Sequence, residues 1–331
     1  MPEISSNLKK MNYAAAANAA LARALTERAE CVLYGEDVAK PGGVFGVTRN
    51  LQTMFGERVF DTPISETAML GAAVGAAMTG LRPIVEIMFI DFSLVAMDQI
   101  VNQAANVRYV SAGTLSAPLT IRTQQGVLPG SCAQHAQNLE ALYAHIPGLR
   151  VGMPATVQDA YSMLLAGIAC DDPTLLIEHR GLYFGAEEEI AIDGPIEAVS
   201  GARVRREGDD ITLLSWSAMV HTALRAAEAL AEEGISVEVL DARWIQPFDW
   251  ETLFASVAKT GRLLILHEAN LTGGFGAEVS AKTNEVLFGK LATPVMRMGL
   301  PDVRVPAAKH LQEALLPQQE DIVARVKSMV G

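Results

Sequence analysis

Apolar positions along this chain follow two alternating rhythms. Short runs such as CVLYG (31–35), RVFDT (58–62), PIVEIMF (83–89), PLTIRT (118–123) and LRVGM (149–153) are almost continuously apolar, as strands buried on both faces are. Between them, longer stretches place apolar residues three and four apart, among them 102–110 and 157–169, and these predict helices. LLIEH (175–179) predicts one more buried strand. Strands and helices in strict alternation imply a parallel sheet covered on both sides.

The stretch from Gly181 to Gly201 mixes glycine, proline and an acidic triplet without helical spacing, which predicts an exposed connection and a domain boundary near 185–200. Beyond it ITLLSWS (211–217), a helix over 218–233, ISVEVLD (235–241), a helix over 250–258, RLLILHE (262–268) and a helix over 276–287 alternate again. The expected fold is therefore α/β, two doubly wound domains over 1–185 and 200–331. The first thirty residues read as a helix, and 318–330 as a surface helix.

Charge narrows the range of partners. With 26 Lys and Arg against 38 Asp and Glu, the 331-residue chain carries a net charge of -12, which repels phosphate backbones and anionic lipid surfaces. The N-terminus lacks the order of a secretion signal, and the longest weakly polar stretch, Ala68 to Leu81, is short of the roughly twenty residues needed to cross a bilayer. Cys31, Cys132 and Cys170 are widely spaced and odd in number, so neither a disulfide framework nor a structural zinc site is expected, and a reducing cytoplasm suits them.

Several chemistries lack their motifs: there is no phosphate-binding Gly-x-x-x-x-Gly-Lys loop, no Gly-x-Ser-x-Gly elbow and no His-Glu-x-x-His. TGGFGAE (272–278) lacks the third glycine of a dinucleotide fingerprint and reads better as a tight turn with close helix packing. Glu66 opens a helix of Ala, Gly, Val and Met expected to be buried. It is either a first-turn acid on the helix dipole or a desolvated carboxyl with a raised pKa and a hydrogen-bonding role. Phe92 follows a strand's C-terminal end, where open α/β sheets place their ligand crevice, yet pattern alone favours an ordinary core aromatic. His135 lies in the loop TQQGVLPGSCAQHAQ after another strand, as a general acid or base or as a plain surface residue.

Together GEDV (35–38), GGVFGVT (42–48), DTPISE (61–66), GLRPIVE (80–86), DFSLVAMDQ (91–99), AQHAQ (133–137) and PGLRV (147–151) resemble one family. It is the beta subunit of the thiamine-diphosphate-dependent decarboxylating component of 2-oxo-acid dehydrogenase complexes, and the likeness runs from about Asn12 to the C-terminus. The resemblance implies a pyrimidine-binding domain followed by a transketolase-type C-terminal domain, in an α2β2 heterotetramer. It implies that Glu66 bonds a ring nitrogen of the cofactor's aminopyrimidine, that Phe92 stacks on that ring, and that the backbone around Ile64 approaches it. His135 would stand beside the reacting carbon and serve acyl transfer to a lipoyl group. Glu36 would join the cofactor site, and Glu36 and Asp98 match acids that connect paired active sites, with a structural carboxylate as the alternative for each.

In such enzymes a Gly-Asp-Gly segment and a later asparagine hold the diphosphate and its magnesium. Here only Gly208-Asp209-Asp210 comes near that pattern, so an alpha chain is expected to supply the magnesium site. Cys170 stands where many relatives carry an acid near a bound potassium ion, which leaves a structural potassium undecided. The histidine loop has less glycine than usual and alanine rather than serine after the histidine, so the substrate stays open among 2-oxo acids. Acetoin dehydrogenase, a split transketolase or a carboligase subunit are the alternatives. A lipoyl acyltransferase core is a further expected partner.

Overall fold

The computed structural model describes residues 7–331, and its contacts divide the chain into two units. One comprises residues up to 124 together with 143–199; the other comprises 125–142 and 200–331. The segment that carries His135 thus belongs, by its contacts, with the C-terminal unit.

In the first unit, β1 (Leu8–Met11) precedes α1 (Tyr13–Glu27), then come β2 (Cys31–Gly35), α2 (Leu51–Phe55), β3 (Val59–Asp61), α3 (Glu66–Met78), β4 (Arg82–Ile87) and α4 (Ile90–Ser93). There follow α5 (Val107–Val110), β5 (Thr120–Gln125), β6 (Arg150–Gly152), α7 (Val157–Ala169), β7 (Thr174–His179) and β8 (Glu188–Ala191), while α6 (Glu140–Ala144) begins in the segment 125–142 and ends past it. The sheet runs β6-β7-β5-β4-β2-β3, with the pairs β6–β7, β5–β4, β4–β2 and β2–β3 parallel. Helix α1 starts where the Asn12 side chain accepts a bond from the Ala15 amide at 2.9 Å, and it buries Leu21 and Leu25 on its inner face.

Four local expectations are corrected here. The N-terminal helix starts only at Tyr13: Leu8–Met11 is a strand, and residues 1–6 of the predicted helix lie outside the described residues. Its partner is β8, inside the stretch expected to be irregular; the basic LKKM lies antiparallel to the acidic EEIA, and charge complementarity stands in for the alternation that would have announced these strands. The helix expected over 102–110 is two pieces, a π-helical turn at Gln99–Ala104 and then α5. Helix α3 is only half buried: Ala68, Ala72, Gly75 and Met78 form an exposed apolar stripe, because side chains this small give the chain's own core little to cover.

The second unit holds β9 (Arg203–Arg206), β10 (Ile211–Ser215), α8 (Met219–Glu232), β11 (Val237–Asp241), β12 (Trp244–Gln246), α9 (Trp250–Thr260), β13 (Leu263–Asn270), α10 (Phe275–Leu287), β14 (Met296–Leu300), α11 (Lys309–Leu315) and α12 (Gln319–Val330). Its sheet is ordered β14-β13-β10-β11-β9, parallel except for the edge strand β9. The expected surface helix α12 buries Ile322, Val326 and Met329, spaced four and three apart, against Ala223, Ala226 and Leu230 of α8. Burial of such side chains stabilises by about 1.5–3 kcal/mol each, so this face is core. The glycines of TGGFGAE serve packing, since a Cβ on Gly276 would lie 2.7 Å from the His267 ring.

Candidate active site

Three loops of the first unit leave neighbouring strands at the same end of the sheet. Parallel register places Gly35 of β2 opposite Asp61 of β3 and opposite Glu86 of β4. Glu36 therefore follows one strand end, the segment from Thr62 to Glu66 follows the next, and Phe89 to Phe92 the third, at the carboxyl ends where α/β sheets bind ligands. Hydrogen bonds stitch these loops together: the Thr62 amide donates to the Gly35 carbonyl at 2.9 Å, the Ala39 amide to Asp61 Oδ1 at 2.8 Å, and the Thr67 hydroxyl to the Val95 carbonyl at 2.8 Å.

The structure brings Glu36 and Glu66 together. Burial raises the Glu36 carboxyl above the ordinary carboxylate range, and the charges of Glu66 and Asp37 push it the same way. Glu66 is buried at the first turn of α3, and the Oε1 atom of Glu36 is buried without a hydrogen-bond partner. Two desolvated carboxyls at one site invite a nitrogen-bearing ligand that can donate hydrogen bonds.

Phe92 is half buried and belongs to an aromatic chain. Its ring meets Phe89 edge to face at 5.5 Å; Phe89 meets Phe45 at 5.8 Å, and Phe45 meets Tyr183 at 5.6 Å. The Arg180 guanidinium sits over the Phe89 ring at 5.0 Å. Ile64 is 80% exposed on the loop before Glu66. Asp98 is exposed beside α3, and its carboxylate accepts bonds from Gln99 at 2.9 Å and Asn102 at 2.8 Å, which anchors it locally.

His135 is half buried in the second unit, after the turn Cys132–Gln134. Gly208-Asp209-Asp210 forms a turn packed on β11, where a Cβ on Gly208 would lie 2.2 Å from the Glu238 nitrogen and Asp210 accepts from the Ser236 amide at 2.6 Å. Its role is structural. Among the described residues no group of three or more His, Cys, Asp or Glu is arranged to hold a metal, and no helix is long and apolar enough to cross a membrane.

Beneath the strand ends lies a group that pattern reading misses. Arg122 of β5 is fully buried and donates to Glu178 of β7 at 2.7 and 2.8 Å and to Glu86 of β4 at 2.5 Å. The Tyr183 hydroxyl donates to Glu178 at 2.7 Å, joining this ionic cluster to the aromatic chain that ends at Phe92. The available signal was one acidic or basic residue, Glu86, Arg122 or Glu178, inside each of three runs expected to be buried strands.

Residues 9–185 match the transketolase pyrimidine binding domain and residues 200–322 the transketolase C-terminal domain. The chain is 41% identical over 322 residues to the pyruvate dehydrogenase E1 component subunit beta of Staphylococcus epidermidis, covering 97% of this chain and 99% of that protein. It is 37% identical to the beta subunit of the acetoin:2,6-dichlorophenolindophenol oxidoreductase of Cupriavidus necator, and 40% identical to the mitochondrial pyruvate dehydrogenase E1 component subunit beta-2 of rice, covering 98% of this chain in both cases and 98% and 87% of those proteins. A solved split-gene transketolase, described as an inactive beta4 tetramer, superposes with a TM-score of 0.77 at 25% identity, over 97% of this chain and 99% of that one. The chain belongs to the family of thiamine-diphosphate-dependent dehydrogenase beta subunits, built from a transketolase pyrimidine binding domain and a transketolase C-terminal domain.

Proposed function

We propose that this chain supplies the pyrimidine half of a thiamine diphosphate site in an α2β2 decarboxylating component, which cleaves a 2-oxo acid and passes the acyl group to a lipoyl acceptor. The observation that carries the reading is the pair of buried Glu66 and half-buried Glu36 at converging strand ends, with one buried oxygen of Glu36 left unpartnered. An aminopyrimidine, with ring nitrogens and an exocyclic amine, fits that donor and acceptor set.

Glu66 would hold a proton at a pyrimidine ring nitrogen, and burial keeps water from competing for that bond. Phe92 would bear on the ring face, fixed by its edge contact with Phe89. Ile64 would offer backbone and side chain to the ligand's flank. Glu36 and Asp98 would carry protons between paired sites, Glu36 being the better placed through its contact with the charge of Glu66. Thiamine diphosphate, when bound, supplies the electron sink for decarboxylation. His135 would orient the oxo acid and handle the proton of acyl transfer.

Magnesium and the diphosphate would be held by an alpha chain, since hard oxygen ligands in number are needed and this chain brings no Gly-Asp-Gly segment. Exposed apolar residues around the site support completion by another chain: Ile64 and Val95 are 80% and 62% exposed. A lipoyl acyltransferase core completes the proposed set of partners.

Calorimetry of thiamine diphosphate with magnesium, on this chain alone and co-expressed with an alpha chain, tests the reading. Binding only in the mixture, followed by lipoyl reduction with a 2-oxo acid, is expected. Tight binding to the chain alone would overturn the split site, and turnover of acetoin but no oxo acid would overturn the substrate class.

A further inference from the structure

The loop carrying His135 has little of its own to hold it. Its sequence from Gly126 to Gln137 contains two glycines and one proline, and Cys132 has a positive φ of 46°. Its form is imposed by the C-terminal unit. The Gly130 amide donates to the Ala307 carbonyl at 3.0 Å, Gln312 donates to the Leu128 carbonyl at 2.9 Å, and Arg304 donates to Gln137 at 3.0 Å. Val127 and Ala136 pack on Leu300 and Val305.

Two buried carboxyls grip the loop on either side of the histidine. Glu268, in β13, accepts from the Val127 amide at 2.6 Å. Glu140, five residues beyond His135, is 1% exposed and accepts from the Trp216 indole at 3.2 Å through Oε1. Trp216 is a fixed post: it is buried, stacked on His267 at 5.3 Å and set against Phe275 at 6.1 Å. The second oxygen of Glu140 is buried without a hydrogen-bond partner. An apolar side chain would suit a purely structural position better, because a half-satisfied buried carboxyl costs stability.

We propose that Glu140 and Glu268 are positioning residues that clamp the His135 loop from both sides, and that ionisation of Glu140 beside Glu268 loosens it. The kinetic part of this inference rests on the function proposed above. Burial, more than any other cause, pushes the Glu140 carboxyl up to about 7, and the charge of Glu268 adds to the rise. Its other polar neighbours, Gln125 and Trp216, are neutral. His267, beside Glu268 on β13, is held neutral by burial, which lowers its imidazole to about 4. Above neutrality, two like charges therefore bear on one loop.

Hydrogen exchange of the full chain at pH 6 and pH 8, corrected for intrinsic rates, tests the clamp without any reaction. Peptides spanning 126–139 are expected to exchange about tenfold faster at pH 8 in the native chain, to show no such difference in Glu140→Gln, and to exchange fast at both values in Glu268→Ala. Kinetics of the chain with its alpha partner give the second readout. Glu140→Ala and Glu268→Ala are expected to lower kcat at least about tenfold with thiamine diphosphate affinity unchanged. Glu140→Gln, which keeps the acceptor oxygen for Trp216 and cannot ionise, is expected to recover most of kcat and to hold it above pH 7. Native kcat in both alanine variants, or loop exchange indifferent to pH in the native chain, would overturn the clamp. An alpha-bound chain that turns over no 2-oxo acid, yet shows the exchange pattern, would sink the proposed reaction and leave the clamp standing.

Discussion

Replacing Arg122 by Met tests the ionic cluster beneath the candidate site. Arg122 is fully buried, and the Glu86 and Glu178 side chains are 4% and 3% exposed. Removing the guanidinium leaves two carboxylates without their cation, and breaking a buried pair in this way costs roughly 3–5 kcal/mol. The sign with pH follows from where the stranded protons go. In Arg122→Met both carboxyls would titrate above their unfolded values, so folded and unfolded forms differ least in acid, and stability is lost as pH rises toward the folded pKa. The deficit should therefore be smaller at pH 5 than at pH 8, by about 1.4 kcal/mol per pH unit for each proton retained only in the folded state. Urea titration supplies the assay. Far-ultraviolet circular dichroism follows the transition. The triple variant Arg122→Met, Glu86→Gln, Glu178→Gln, which strands no charge, should regain at least half the loss. Equal deficits at pH 5 and pH 8, or a triple variant as weak as the single one, would refute the reasoning.

Further predictions concern the site itself. Glu66→Ala should reduce turnover of the alpha-bound enzyme by at least about a hundredfold while shifting the urea midpoint little, since the first-turn acid contributes only about 0.3–1 kcal/mol to α3; near-native kcat would remove Glu66 from the proposed role. His135→Ala should slow lipoyl acylation by about a hundredfold or more, read by stopped-flow with a free lipoyl domain, and leave cofactor affinity as it was; an unchanged acylation rate would return His135 to the loop's surface. The Glu140 carboxyl, raised from 4.5 to about 7, contributes stability that is full in acid and is lost by about 3 kcal/mol as pH rises from roughly 4.5 to 7, so the native urea midpoint should fall relative to that of Glu140→Gln over that window and stay level above.

What was legible in the chain follows the range over which each feature is encoded. Helices such as α7, with its Thr156 cap bonding the Asp159 amide at 3.1 Å, and the continuously apolar strands carry their signal within a dozen residues. The strand ends before Glu36, Glu66 and Phe92 were legible in the same way, and the parallel register of β2, β3 and β4 brings them together; Glu66 was marked by the helix it opens, and Glu36 only by the family resemblance. The pairing of β1 with β8 was hidden because its partners lie about 180 residues apart and share only opposite charge. Arg122 was hidden by its own strand, where a buried cation is tolerable only because Glu86 and Glu178 arrive from two neighbours. The His135 loop is the sharpest case. Its histidine is readable from a local motif, but the carboxyl that anchors Val127 comes from Glu268, 141 residues away. A motif can thus name a candidate group, whereas the side chains that bond the loop around it are found only where the fold has brought distant segments together.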